Sequence, residues 1–247
     1  MMRAALFQKA SGDSEQENLL VPLARLREAV TALFEFLLTP RITKCISTNR
    51  CQQYVVLQTE IKDQTLVALK SGSTQTGIWL LIALRSLETG AAEECFANRF
   101  FLVVLDGNIR ACHHKIQIFD VAATLQETYC EADSYLSNDR VVITQTPSGC
   151  LGMTVFCNLR FPVIYQALAQ SGAEILIFPS SFSLVMGAAH WTSIQKTREI
   201  ATGYHKLVLP QRSRYSQKRA NRVGLLVIAL QRCLWLKFCM TWALSLL

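Results

Sequence analysis

Residues 152–191, GMTVFCNLRFPVIYQALAQSGAEILIFPSSFSLVMGAAHW, hold the pattern that decides the fold. The apolar run over 152–157 predicts a strand, and apolar residues at helical spacing over 163–170 predict a helix. The segment GAEILIFPS predicts a buried strand, and a further helix is expected over about 188–201. Strands that alternate with helices indicate an α/β domain.

The chain before this stretch repeats the alternation. Residues 98–105 and 109–118 predict a β-hairpin, because both are apolar and the turn signal Asp106-Gly107 separates them. An amphipathic helix is expected from residue 18 into a strand at FEFLLTP, and another helix at 63–69. The remaining strands are expected at 3–8, 78–84, 140–145 and 206–210.

The positive charge of the chain is concentrated at its end. Seven of the 25 Lys and Arg residues lie in residues 212–247, which hold no Asp or Glu, so 18 basic residues face 18 acidic ones upstream. Residues 1–211 therefore have no net charge and no excess of basic residues, so we predict no nucleic-acid partner. With 51% hydrophobic residues, the chain is also too apolar for wholesale disorder.

The cysteines and the N-terminal sequence bear on the compartment. The nine cysteines show no CxxC spacing, and their odd number does not suit a fully paired disulfide framework. The first 18 residues have too short an apolar run for a signal peptide. Both observations predict a reduced, cytoplasmic protein.

A change of composition near residue 211 divides the chain. We predict one domain over 3–211 and a tail over 212–247, which is basic and then apolar. A membrane-anchoring helix is one interpretation of the apolar 25-mer. Arg232 and Lys237 oppose it, at about 2.5 to 3.5 kcal/mol each near the bilayer centre. The other interpretation, which we favour, is decayed sequence without a membrane contact.

Four blocks of the sequence, in order, resemble the nitrilase superfamily of carbon–nitrogen hydrolases. The stretch 152–191 resembles the family block LGxxVCYDLRFPxLYxxLxxxGAxILxxPSAF that ends in HW. The other blocks are FLLTPRITKCIS, where the family reads TPE, IRACHHKIQIFDV around the family lysine, and YCEADSYLSNDRVV around an accessory glutamate. The resemblance covers roughly residues 3–211.

The resemblance implies an α-β-β-α sandwich of the nitrilase type whose C-terminal strands are altered or missing here. It also implies a homodimer, a small amide, nitrile or carboxylate ligand, and no metal or organic cofactor. The histidines show no metal-ligand spacing. In the family, a cysteine thiolate attacks the amide or nitrile carbon, a glutamate takes the proton, and a lysine stabilises the oxyanion. Water then hydrolyses the thioester.

Two positions of this chain match the family chemistry. Lys115 stands at the position of the family lysine, and Glu131 stands at the accessory glutamate that helps to position substrate and lysine. The base position departs from the family, because Arg41 follows Thr39-Pro40 where a glutamate is expected. Arginine accepts no proton near neutral pH. Glu35 lies six residues back, too far to substitute at about 3.3 Å per strand residue.

The nucleophile is displaced by one position. Phe156 aligns with the family cysteine, and Cys157 follows it. On an extended strand such a shift turns the side chain to the opposite face. At a strand-to-helix turn this rule is looser, so the direction of the Cys157 side chain stays open. Cys157 either enters the pocket or is an ordinary buried free cysteine. Asn158 replaces the usual aspartate.

We therefore predict a protein derived from amidase-type hydrolases of non-peptide carbon–nitrogen bonds, with Lys115, Cys157 and Glu131 as catalytic candidates and Arg41 and Phe156 as non-catalytic replacements. Catalysis is expected to be impaired or lost. The alternatives are an inactive relative that binds small molecules or dimerises, and a protein whose tail associates with membranes.

Overall fold

The computed structural model describes most of the chain up to residue 221. The described residues are 3–7, 9, 11–12, 14–41, 43–44, 56, 58–88, 96–118, 120–122, 128–180, 184–203, 205–210, 213–216 and 219–221. They include the backbone of all five predicted site positions, whereas the side chain of Phe156 lies outside them.

Five strands form the first sheet in chain order. They are β1 (Ala4–Leu6), β2 (Phe36–Leu38), β3 (Trp79–Glu88), β4 (Phe96–Val103) and β5 (Ile109–His114). β1, β2 and β3 are parallel, and β4 and β5 continue the sheet as antiparallel strands. Parallel neighbours require crossover connections. Helix α1 (Glu15–Thr31) lies between β1 and β2, and helix α2 (Gln64–Thr76) lies between β2 and β3.

The second sheet follows a small hairpin of β6 (Asp120–Ala122) and β7 (Thr128–Cys130). Its strands are β8 (Val142–Thr146), β9 (Gly149–Met153), β10 (Ile175–Ser180) and β11 (His205–Pro210), in the order β11-β10-β9-β8. A 3₁₀ helix (Phe156–Arg160) and helix α3 (Pro162–Gln170) connect β9 to the parallel β10, and helix α4 (Leu184–Thr202) connects β10 to the parallel β11.

Alternating side chains of the two sheets build three apolar cores. Leu81 and Phe100 of the first sheet pack with Leu151 and Ile177 of the second, which places this core between the sheets. The outer face of the first sheet packs against α1 and α2, through Leu26, Leu66, Leu69, Leu80 and Ile82. The outer face of the second sheet packs against α3 and α4, through Leu168, Leu176, Phe178 and Trp191. The layers are therefore helix, sheet, sheet and helix.

Side-chain caps define where the first two helices begin. Ser14 Oγ accepts a hydrogen bond from Glu17 N at 3.3 Å, and Asp63 Oδ1 accepts one from Leu66 N at 2.9 Å. Such caps satisfy backbone donors that have no partner within the helix. Leu33, at φ 59°, leaves the helical conformation just after α1, which therefore stops before the FEFLLTP strand.

The segment that carries Arg41 is anchored by buried polar contacts. Thr43 N donates to Ala83 O of β3 at 3.1 Å. Lys44 Nζ pairs with Asp63 Oδ2 at 2.6 Å, and both side chains are buried. A charge is tolerated inside a protein only with such a partner. The chain leaving β2 is thereby attached to β3 and to the start of α2.

The predicted α-β-β-α sandwich is confirmed, and some predicted boundaries are wrong. The helix expected at 63–69 continues to Thr76, where Gly77 at φ 63° ends it. The strand expected over 152–157 ends at Met153, because the 3₁₀ helix begins at Phe156. Lys115, expected on a strand, follows the last residue of β5.

The predicted tail begins with a short hairpin. β12 (Ser213–Ser216) pairs antiparallel with β13 (Arg219–Asn221). Residues 222–247, on which both interpretations of the tail depend, lie outside the described residues. Among the helices that the structure describes, none has the length and hydropathy needed to cross a membrane.

Gly152 lets α3 pack closely on the second sheet. A Cβ atom added to Gly152 would lie 2.8 Å from Leu176 Cδ2, 3.1 Å from Ala173 Cβ and 3.3 Å from Leu168 Cδ2. These neighbours belong to one buried core, so they have little space into which to move.

We expect Gly152→Ala to destabilise the protein by about 1–3 kcal/mol through overpacking. Urea unfolding followed by circular dichroism measures the change. Gly12→Ala is the matched control, because a Cβ at Gly12 meets no atom within 4 Å. Equal stability of Gly152→Ala and the wild type would contradict the packing argument.

Candidate active site

Four predicted site residues meet where separate segments leave their strands. Arg41 follows β2, Lys115 follows β5, Glu131 follows β7, and Cys157 lies in the 3₁₀ helix after β9. Glu131 pairs with both Arg41 and Lys115, and Lys115 hydrogen-bonds Cys157. The structure therefore brings Arg41, Lys115, Glu131 and Cys157 together. Glu35 lies at the opposite end of β2, where its carboxylate accepts from Arg3 N at 3.4 Å.

The Glu131 carboxylate binds two cations, one through each oxygen. Lys115 Nζ donates to Glu131 Oε2, and Arg41 Nη2 donates to Glu131 Oε1 at 3.4 Å. The exposed fractions of the side chains are 0% for Lys115, 8% for Arg41 and 13% for Glu131. We call this arrangement the Arg41–Glu131–Lys115 triad. It carries one positive charge more than negative charge.

Opposing effects act on the protonation of Lys115. Burial and then the nearby Arg41 charge lower the pKa of the Lys115 ammonium. The charges of Glu131 and Cys157, and the hydrogen bond that Lys115 donates to Glu131, act in the opposite direction. Glu131 is thus the group that most favours the charged form of Lys115, against desolvation and a like charge.

Cys157 is a buried thiol beside Lys115. Its Sγ donates to the Gln117 carbonyl oxygen at 2.6 Å. Burial raises the pKa of the Cys157 thiol, the Lys115 and Arg41 charges act against this rise, and the Glu131 charge adds to it. Because the thiolate is the reactive form, Cys157 is held mainly in its unreactive form at neutral pH.

The backbone of Gln117 holds the turn that contains Cys157. Gln117 N donates to Asn158 Oδ1 at 3.4 Å, while Gln117 O accepts from Cys157. Asn158 Nδ2 lies 3.4 Å from His113 Nε2. Burial lowers the pKa of His113 to about 3, so this imidazole is neutral and its Nε2 accepts from the amide. The sequence patterns do not indicate these roles of His113 and Asn158.

A third polar residue whose role was missed from the sequence is Asn98 on β4. Lys115 N donates to Asn98 O at 3.0 Å, so the two residues lie opposite each other. Asn98 is 5% exposed, and its Nδ2 atom has no hydrogen-bond partner among the described residues. The predicted hairpin already indicates that Asn98 lies opposite Lys115, because a turn centred on Asp106-Gly107 pairs residue 98 with residue 115.

Helix α4 supports the turn from the other side. Arg198 Nε donates to Leu159 O at 2.9 Å, and Arg198 Nη2 donates to Arg160 O at 3.3 Å. The Arg198 guanidinium also lies over the Tyr165 ring, 5.8 Å from its centre. Arg160 itself contacts His190 Nδ1 at 3.1 Å. These contacts stabilise the 3₁₀ helix against α3 and α4.

In the part of the chain that the structure describes, no three His, Cys, Asp or Glu side chains are grouped to hold a metal ion. The candidate site instead combines two cations, one carboxylate, one thiol and a buried amide. This set of groups suits a polar ligand with acceptor atoms.

The carbon–nitrogen hydrolase family model matches residues 19–211. The chain belongs to this family. It is 26% identical over 226 residues to the deaminated glutathione amidase of Yersinia enterocolitica, covering 87% of this chain and 75% of that protein. It is 35% identical over 125 residues to the human deaminated glutathione amidase, covering 50% of this chain and 38% of the human protein.

A solved structure shows the same fold. The C. elegans NitFhit protein superimposes with a TM-score of 0.78 at 22% identity, covering 90% of this chain and 55% of the NitFhit chain. The predicted membership of the nitrilase superfamily is confirmed. The matched relatives support the amidase type of carbon–nitrogen hydrolase.

We expect Glu131→Gln to destabilise the protein by about 3–5 kcal/mol, because it leaves two buried cations without their shared carboxylate. Urea unfolding measures the loss. The control is Glu28→Gln, which breaks the Arg25–Glu28 pair whose side chains are 28% and 59% exposed. Exposed pairs contribute less than about 1 kcal/mol. A similar small loss for both variants would contradict a structural role of the triad.

The raised pKa of Cys157 predicts slow alkylation. N-ethylmaleimide should label Cys157 more slowly than the exposed Cys130 at neutral pH. The Cys157 rate should still rise above pH 9, the ordinary value, because deprotonation occurs only as the pH passes the raised pKa. Mass spectrometry of the labelled peptides measures both rates. Fast labelling that is already constant at neutral pH would show a depressed pKa instead.

Proposed function

We propose that this chain keeps the ligand site of an amidase-type carbon–nitrogen hydrolase and hydrolyses amides poorly or not at all. The observation that carries the proposal is the Arg41 guanidinium bound to Glu131 in a buried site. The family resemblance puts a general base at this position, and a guanidinium cannot take up a proton.

Glu131 does not supply the missing base in this arrangement. Both of its oxygens accept hydrogen bonds from cations, one from Lys115 and one from Arg41. Two neighbouring positive charges disfavour protonation of a carboxylate. Proton transfer from the Cys157 thiol to Glu131 is therefore opposed by the same contacts that hold the site together.

Among the described residues, the Cys157 thiol donates its hydrogen bond to no group that acts as a base. Its Sγ donates to the backbone carbonyl of Gln117, and a carbonyl oxygen does not remove a proton near neutral pH. Thioester formation needs the thiolate, and its hydrolysis needs a base that takes a proton from water, so without a base both the attack and the later release are impaired. In a triad hydrolase, loss of the nucleophile alone lowers turnover by about 10⁶.

A second candidate function is residual thiol-dependent amide cleavage through Cys157. It is favoured by the hydrogen bond between Lys115 and Cys157, since this places a thiol beside the cation that stabilises an oxyanion in the family. An external base would then have to take the proton. The two functions differ in one measurable property, which is turnover by the unmodified chain.

The wider expectations belong to the same proposal. By family, we propose small amides, nitriles or carboxylates as ligands, a homodimer in solution and a cytoplasmic location. The relatives named as deaminated glutathione amidases support an amide-type ligand. The limits of the domain at 3–211 and of the tail at 212–247 also remain predictions.

We expect Arg41→Glu combined with Phe156→Cys to create amide hydrolysis, because it returns a base and a nucleophile to the positions that the family uses. Ammonia release from small amides measures turnover of the full chain. The wild type should show none above background. The double variant should lose its activity when Lys115→Met is added, because the oxyanion then has no cation.

Two controls separate the candidate functions. Arg140→Glu with Phe156→Cys reverses an exposed arginine instead of Arg41 and should remain inactive. Turnover by Arg41→Glu alone would show that Cys157 can act as the nucleophile once residue 41 is a base. Turnover by the wild type that disappears in Cys157→Ala would support the second candidate. Wild-type turnover as fast as that of the Arg41→Glu, Phe156→Cys variant would show that hydrolysis is not impaired, and the first proposal would be wrong.

A further inference from the structure

Asn98 presents an unpaired donor next to Lys115. The two residues are opposite each other on antiparallel segments, joined by the hydrogen bond from Lys115 N to Asn98 O at 3.0 Å. Side chains of such a pair project from the same face, with Cβ atoms about 4.5–5.5 Å apart. Asn98 Nδ2 is buried and has no partner within the described residues. Buried donors of this kind normally meet an acceptor, which can be a ligand.

The charges around Cys157 favour an acceptor that is negative. In the described part of the chain, the Cys157 thiol interacts electrostatically with Arg41, Lys115 and Arg160, and with the Glu131 carboxylate. Arg41 and Lys115 are both buried, so bulk water screens them little. Among the described residues, one carboxylate, that of Glu131, pairs with both of these buried cations.

We infer that this site binds a small carboxylate anion in preference to an amide. The inference rests on the proposed function, because a working base at residue 41 would repel a carboxylate. Arg41 and Lys115 supply the positive charge, and Asn98 Nδ2 supplies a neutral donor on the same face as Lys115. Each donor matches a carboxylate oxygen, which accepts hydrogen bonds and donates none.

The shape of the ligand favours a carboxylate over other anions. A carboxylate and a primary amide are both planar, with two heavy atoms on one carbon. A site derived from amide cleavage therefore accommodates a carboxylate without enlargement. Phosphate is tetrahedral and more highly charged, so it fits a site derived from amide cleavage less well. Arginine in particular recognises planar carboxylates through its fork of N–H groups.

Protection of Cys157 tests the inference on the wild-type chain. Sodium acetate should slow the labelling of Cys157 by N-ethylmaleimide in a saturable manner, because the bound anion lies beside the thiol. Acetamide, and sodium chloride at the same ionic strength, should have no such effect. The exposed Cys130 is the internal reference, and its labelling should not change.

Calorimetric titration with acetate supplies the affinities. Arg41→Gln should weaken acetate binding by about 10- to 100-fold, which corresponds to the loss of a hydrogen bond to a charged group. Asn98→Ala should also weaken it. Arg140→Gln is the matched control, since Arg140 is 86% exposed, and it should leave acetate binding unchanged. Circular dichroism shows whether each variant is folded.

The outcomes separate the inference from the proposed function. Protection by acetate alone, lost in Arg41→Gln, supports the carboxylate site. Equal protection by acetate and acetamide, or binding of inorganic phosphate as tight as that of acetate, overturns it. Ammonia release from acetamide by the wild type overturns the proposed function, and it is measured on the same sample without reference to acetate affinity.

Discussion

The Glu131 carboxylate is the interaction on which the site depends. It joins the segment after β2 to the segment after β5, because Arg41 binds one oxygen and Lys115 binds the other. Both cations are buried, and a buried cation without a partner is strongly unfavourable. The positions of Arg41 and Lys115, and through Lys115 the surroundings of Cys157, therefore follow from one carboxylate.

The triad also explains how the fold accommodates arginine at residue 41. By resemblance, the family has one cation and two carboxylates at these positions. With Arg41, one carboxylate lies between two cations, and every charged group still has a partner of opposite sign. The substitution keeps the ion pairs and inverts the net charge. Stability and catalysis thus have different requirements at residue 41. Stability requires only that the buried charges are paired, whereas base catalysis requires a negatively charged group.

The sequence contains the fold in its alternation of strands and helices and in the Asp106-Gly107 turn. The position of that turn also predicts that residue 98 pairs with residue 115, and the structure shows this pairing as a backbone hydrogen bond. The resemblance identified Lys115, Glu131 and Arg41, which the structure brings together. The side-chain direction of Cys157 was not predictable, because it depends on whether β9 stays extended, and β9 ends at Met153.

The 3₁₀ helix explains why Cys157 lies near Lys115 although it is displaced by one residue. Along a strand, a shift of one residue turns a side chain by half a turn, whereas in a 3₁₀ helix with three residues per turn it turns by a third. Cys157, in the Phe156–Arg160 turn, consequently lies within reach of Lys115 and of the Gln117 carbonyl. A thiol one residue beyond the family position therefore still lies beside the cation. By resemblance, proton abstraction depends on one carboxylate at residue 41, so it has no such tolerance, and residue 41 here is a guanidinium.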